Sequence, residues 1–361
     1  MPNIDFSLLP TGANSAKMLR RIFTKGALAL LTALLVACGD ARLPVTPIEP
    51  QVAEIPCPDL PPPPQVSTGQ YELLDYPLVE SVKYNPNDAN EVAYVLTEES
   101  APGNVMGSSL YKMNLFTKQR TLLASDVSFT FDWGRNGWLL FTSVGSDVWK
   151  IKANGDSLTR LTTTTGTGYP VWSPDGSRIV HKFIGTTYAR TGVYVRTATG
   201  QQLQFIPDAR ILSSNSLALA PDNRTLALGS GLGYSYPSDS VAFGLYDLST
   251  LTFRPLLRVP RYEPPIGILW TPDGQRIIWS DRSVKELEVA TGRMRVVRAA
   301  CAPDAYGRLG RWFLYPSLSP DGQRLAMVTC GRYLAADGKV HVYTKIQTTD
   351  RNGQHIRDVT F

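Results

Sequence analysis

The sequence predicts an all-β chain folded as a six-bladed β-propeller with four antiparallel strands in each blade. Three observations predict it. One turn recurs six times, each copy is followed by the same succession of short strand-like runs, and 29 Gly and 27 Pro in 361 residues suit frequent turns better than long helices. The clear copies read YPVWSPDGSRIV from Tyr169, LALAPDNRTLAL from Leu217, ILWTPDGQRIIW from Ile268 and YPSLSPDGQRLAM from Tyr315. Two weaker copies precede them, SVKYNPNDANEVAYV from Ser81 and FTFDWGRNGWLLF from Phe129. With turn centres at Pro86, Gly134, Pro174, Pro221, Pro272 and Pro320, the spacings are 48, 40, 47, 51 and 48 residues.

Each unit has a mechanism. A β-rich run leads into Pro-Asp-Gly or Pro-Asp-Asn, which supplies a preset φ, a side-chain acceptor and a residue tolerant of positive φ. A second β-branched run returns antiparallel, a third follows (DVWKIKANG, GVYVRTATG, KELEVATG, KVHVYTK), and a shorter fourth closes the unit (SLTRLT, QLQFIP, MRVVRA, QHIRDVTF). Such a blade buries its faces only against its neighbours, so the units must stack into a ring. The last unit carries all four runs, and Leu73 to Glu80 is the candidate for an additional N-terminal closing strand.

The chain before the ring reads as an address. Lys17, Arg20, Arg21 and Lys25 precede the apolar run Ala27–Ala37, which is too short to cross a bilayer and fits a secretory signal over residues 1–37. Met18 is a second candidate start. Leu35-Val36-Ala37-Cys38 resembles the lipobox of bacterial lipoproteins, which implies acylation of Cys38 and anchoring in a membrane; Gly39 after the cysteine, by the same resemblance, implies the outer membrane of a Gram-negative cell. Residues 38–70 then form a proline-rich linker. Nine of the 21 residues from Pro44 to Pro64 are proline, an extended spacer of roughly 65 Å at most. The ring takes residues 71–361.

The repeated units resemble the WD40-like (PD40) propeller repeats of the TolB family, well in the last four units and weakly in the first two. The resemblance covers about 290 residues and implies a six-bladed propeller of the periplasm. The family carries an α/β domain before its propeller, where this chain has only the proline-rich linker.

No linear motif points to catalysis. Asp175, Asp222, Asp273 and Asp321 all occupy the repeated turn, where a side-chain-to-backbone hydrogen bond accounts for them. His181, His341 and His355 lie in strand patterns without a metal-ligand spacing, and there is no nucleophile elbow, P-loop or dinucleotide fingerprint. The expectation is no catalytic residue, no metal and no cofactor. Among the cysteines left after Cys38, Cys301 follows the fourth strand of the fifth unit and Cys330 ends the second strand of the sixth. Their positions on one face of the ring predict a Cys301–Cys330 disulfide, with Cys57 free or paired between molecules.

The same topology sorts the loops. The Pro-Asp-Gly turns lie on one face and are short; the other face receives the long connections. These hold Tyr188, Arg190, Tyr234, Tyr236, Arg261, Tyr262, Arg308, Arg311, Trp312, Arg332 and Tyr333, residue types enriched at binding hot spots. The expected function is a lipid-anchored envelope scaffold that docks a protein on this long-loop face. Alternatives are a hydrolase or lyase acting on a carbohydrate or lactone, and a glycan-binding module, each using the central channel. The net charge of +5 does not argue for a nucleic-acid partner, because residues 1–37 supply four basic groups against one acidic. Residues 39–80 carry −6 and residues 282–361 carry +6, an acidic linker beside basic closing blades.

Overall fold

The computed structural model describes residues 55–56, 72–101, 104–164, 166–185, 191–207, 216–230, 240–260, 265–302, 310–335 and 337–359. Besides a two-residue pairing of Ile55–Pro56 with Cys301–Ala302, six sheets follow one another along the chain, the first five built from strands in sequence order. Blade I comprises Leu78–Asn85, Asp88–Ala101, Asn104–Asn114 and Arg120–Ala124. Blade II comprises Val127–Trp133, Trp138–Ser143, Val148–Lys152 and Thr159–Arg160. Blade III runs Thr167–Trp172, Arg178–Phe183, Gly192–Thr197 and Gln202–Pro207. Blade IV runs Leu217–Leu219, Thr225–Ser230, Ser240–Asp247 and Thr252–Pro260. Blade V has Ile266–Trp270, Arg276–Ser280, Val284–Glu288 and Met294–Arg298.

Blade VI differs at its outer edge. Gly310–Leu318 and Arg324–Leu334 lead to the long strand Val340–Asp350, which has two partners on its far side. Its second half pairs antiparallel with Arg357–Val359, and its first half pairs parallel with Glu72–Leu74, Leu73 lying opposite His341. The expected closing strand therefore exists beside the C-terminal one rather than instead of it. Residues Leu78–Glu80, also within the candidate segment, begin the innermost strand of blade I.

The interior consists of six apolar clusters, one for each seam between neighbouring blades. Blades IV and V share Phe243, Ile277 and Trp279; blades VI and I share Tyr94, Val82, Val328 and Ile346. Burial of one such aliphatic or aromatic side chain stabilises by about 1.5–3 kcal/mol, whereas a seam hydrogen bond contributes about 1 kcal/mol. Packing therefore holds the blades together, and polar links fix their register. One such link is Trp172 N donating to Asp132 Oδ2 at 2.8 Å between blades III and II.

Candidate functional site: the central channel

The repeated turn sets the channel rim. In blade V the Thr271 hydroxyl donates to Asp273 Oδ1 at 2.5 Å and accepts from Arg276 N at 3.0 Å, while Asp273 also accepts from Gln275 N. Ser173–Asp175–Arg178 and Ser319–Asp321–Arg324 repeat this pattern in blades III and VI. Blade IV has Ala220 where the hydroxyl would stand, and Asp222 turns instead to Thr225 Oγ1 and the amides of Arg224 and Thr225. The four aspartates thus serve the turns, as their positions predict. Hydrogen bonds from the Ser173, Thr271 and Ser319 hydroxyls hold the carboxyls of Asp175, Asp273 and Asp321 below the usual carboxylate range.

Inside this rim lies a cavity of about 450 Å³. Its mouth carries Pro86, Pro174, Pro221, Pro272 and Pro320 from five blades; blade II offers Arg135 at the corresponding position. Polar groups come from Arg135, Asp175, Asn223 and the Lys83–Asp132 pair, whose Nζ and Oδ1 are 2.7 Å apart. Trp133, Trp172 and Trp270 form part of the wall, but Trp133 and Trp172 are each only 5% exposed. The indole nitrogens of Trp172 and Trp270 donate to the carbonyls of Trp138 and Ala218 in the preceding blades.

Deeper in the channel, Ser81, Phe129, Tyr169, Ser216, Gly267 and Tyr315 meet at a waist, each five residues before its turn centre. The void there is about 40 Å³, room for very few waters. Bulges interrupt the innermost strands of blades III, V and VI at Tyr169, Gly267 and Tyr315, which have φ of +53°, +63° and +49°. A Cβ on Gly267 would stand 2.5 Å from Tyr315 Cα, so the blade V strand can pass here only as glycine. Burial, with the neighbouring Tyr169 phenol and Glu80 carboxylate, pushes the Tyr315 phenol up. The Lys182 ammonium lies 5.2 Å from the Tyr169 ring centroid, and burial pulls it down to about 8.

The cavity opens on the short-turn face, opposite the loops predicted to bind. Of those loop residues, Arg311, Trp312, Arg332 and Tyr333 lie among the described residues, all on blade VI. The Arg332 guanidinium covers the Trp312 ring at 5.1 Å on the side facing blade I. Tyr333 and Arg311 alternate to the other side, and the Tyr333 hydroxyl donates to Asp75 Oδ2 at 2.8 Å. Tyr333 therefore fastens the closing segment. Tyr188, Arg190, Tyr234, Tyr236, Arg261, Tyr262 and Arg308, like Cys38 and Cys57, lie outside the described residues.

Cys301 and Cys330 are not joined by a disulfide in the structure. Strand alternation puts Cys330 on the face of Ala326 and Val328, which pack against blade I, whereas Cys301 sits on the link arriving from blade V. His181 is fully buried, receives Arg196 Nε at 2.9 Å, and is pulled down to about 4 by burial; it is a neutral packing residue. Among the described residues no cluster of His, Cys, Asp and Glu has a metal-binding arrangement. What the sequence did not reveal is the mouth set Lys83, Asp132, Arg135 and Asn223. They stand at different distances from their turn centres, so no repeated position marks them.

No protein-family model and no curated protein matches this sequence. Among solved structures it is similar to a protein assigned as TolB from Agrobacterium tumefaciens, at 16% identity and a TM-score of 0.53, over 71% of this chain and 89% of that one. It is similar also to the β-propeller domain of the Trilobed protease from Pyrococcus furiosus, at 9% identity and a TM-score of 0.52, over 80% and 99% of the two chains. A puromycin hydrolase matches at 16% identity and a TM-score of 0.50, over 78% of this chain and 47% of that one. These likenesses establish the fold, a TolB-like six-bladed β-propeller. The Pyrococcus domain is described as having an open Velcro topology; here Glu72–Leu74 closes the ring onto blade VI.

Proposed function

We propose that this chain is a lipid-anchored propeller of a Gram-negative cell envelope that holds a partner protein without transforming it. The signal over residues 1–37, the lipobox ending at Cys38 and the proline-rich linker support the anchor. The observation that carries the scaffold reading is the mouth on the short-turn face. It is wide and rimmed by prolines, and Asp132, Asp175 and the Trp172 and Trp270 indoles are already engaged in turns or blade seams. A rigid cavity whose groups are so engaged suits docking of a preformed surface or extended segment. The tryptophan walls give less support to a glycan platform, since Trp133 and Trp172 expose too little of their rings for a sugar to stack on.

A photo-crosslinking residue placed at Arg135 or at Lys339, in cells carrying the full chain, tests the reading. Capture of one discrete envelope protein from Arg135 supports docking at the mouth. Capture only from Lys339 returns docking to the long-loop face. Turnover of a small carbohydrate or lactone by the purified chain, lost on narrowing the mouth, overturns the scaffold.

A further inference from the structure

The linker does more than lift the ring from a membrane. Ile55 and Pro56 form a short strand paired in parallel with Cys301 and Ala302, Ile55 opposite Cys301 and Pro56 opposite Ala302. The strand Met294–Arg298 runs toward the long-loop face, so its extension at Cys301 lies at that face. Sixteen residues beyond Pro56, the chain enters the ring again at Glu72, opposite Val340, where the third strand of blade VI begins at the same face. The linker is therefore tied to the ring at two places, both at the long-loop end of blades V and VI.

Charge favours the first tie. Glu54 and Asp59 flank the paired residues, and the linker, residues 38–70, carries −3 against +6 for residues 282–361. The acceptor side is basic. Arg298, three residues before Cys301, lies over the Phe313 ring and is close enough to Arg311 for their charges to interact, while Arg332 covers Trp312 on the adjoining strand. The opposite charges of linker and junction favour such a contact.

We infer that residues 55–56 pin the linker to the junction of blades V and VI, so that an anchored chain turns its long-loop face toward the membrane and its short-turn mouth away from it. This rests on the anchoring reading above. The free spacer shrinks to the 17 steps from Cys38 to Ile55, roughly 50 Å at most at ~3.1 Å per residue. The occupant of the basic junction is the chain's own linker. The cavity, held clear of the bilayer, is left for a partner.

Two measurements on the full chain test this. In the first, Ile55→Cys is combined with Cys57→Ser and Cys330→Ala and the protein is oxidised with copper phenanthroline. Paired parallel residues have Cα atoms about 4.8 Å apart, within disulfide range. Peptide mapping is expected to find position 55 joined to Cys301, and Gln51→Cys in the same background not to form that bond. Absence of the 55–301 bond, or equal yield from position 51, overturns the pinning. In the second, Arg135→Cys and Lys339→Cys are made with Cys57, Cys301 and Cys330 replaced, and a bulky polyethylene-glycol maleimide is added to lipidated protein on phospholipid vesicles and to the Cys38→Ala form. Position 339 should label several-fold more slowly when lipidated and position 135 equally in both forms. Equal labelling of position 339 on vesicle-bound protein overturns the orientation. If the unmodified chain does not float with vesicles, the anchoring reading fails and the orientation with it, whereas the 55–301 bond still decides the pinning by itself.

Discussion

His341 Nδ1 lies 2.6 Å from Asp75 Oδ1 and so fastens the segment that closes the ring to the last blade. The other Asp75 oxygen accepts from Tyr333, and Asp337 Oδ2 lies 3.4 Å from His341 Nε2. The hydrogen bond to Asp75 raises the imidazole above its ordinary value near 6.5, against a smaller opposing effect of burial. A raised folded value means that stabilisation is full below the unfolded pKa and is lost as pH rises through the folded one. The thermal midpoint should therefore be higher at pH 5.5–6 than at pH 8–8.5, once the carboxylates are ionised. His341→Gln should flatten that difference, while Tyr333→Phe, which removes a neutral donor, should lower the midpoint at both pH values alike. Circular-dichroism melts of the three proteins across this range check it.

Lys83, Asp132 and Trp172 tie three successive blades through one carboxylate. Asp132→Ala leaves the Trp172 amide of a nearly buried residue without its acceptor, at a cost of about 1–3 kcal/mol. Asp132→Asn keeps an acceptor for that amide and should lose clearly less. Urea unfolding of both variants measures the difference, and equal losses would show that the amide is not the part that matters.

The repeated turn offers a test with an internal control. Thr271→Ala removes both the donor to Asp273 and the acceptor for Arg276 N at a site 5% exposed, and should cost about 1–3 kcal/mol. Blade IV carries alanine naturally at Ala220 and reroutes Asp222 to Thr225. In the Thr271→Ala background, Gly274→Asn and Arg276→Thr, the counterparts of Asn223 and Thr225, rebuild that arrangement locally. Denaturant midpoints should show partial recovery.

These turns were legible because their chemistry is local: Ser or Thr, Pro, Asp and Gly within four residues specify it. The blades were legible for the same reason, and blade II was the faintest because Arg135 and Asn136 stand where Pro and Asp stand elsewhere. The Cys301–Cys330 bond was expected from a correct placement on one face of the ring, but sharing a face of the ring does not settle which side of a strand a side chain takes. The waist residues Ser81, Phe129, Tyr169, Ser216, Gly267 and Tyr315 share a register position and no chemistry, so no motif marks them. The cavity on the short-turn face likewise depends on how six rims close. That property belongs to the assembled ring and to no single repeat.

Gly267 tests the waist directly. Gly267→Ala places a methyl group at φ +63° and 2.5 Å from Tyr315 Cα, adding left-handed backbone strain to a collision with backbone rather than with a movable side chain. The two effects should exceed about 2 kcal/mol together. Tyr315→Phe, by contrast, keeps the ring and loses only a hydroxyl, so it should be far milder. The mouth is separable from both. Arg135→Glu reverses an exposed charge at the rim and keeps the backbone carbonyl that accepts from Asn87 Nδ2 of blade I, so it should leave the thermal midpoint nearly unchanged while abolishing partner capture at the cavity. If capture persists in Arg135→Glu and fails only when the waist is distorted, the partner reads the shape of the ring instead of its mouth.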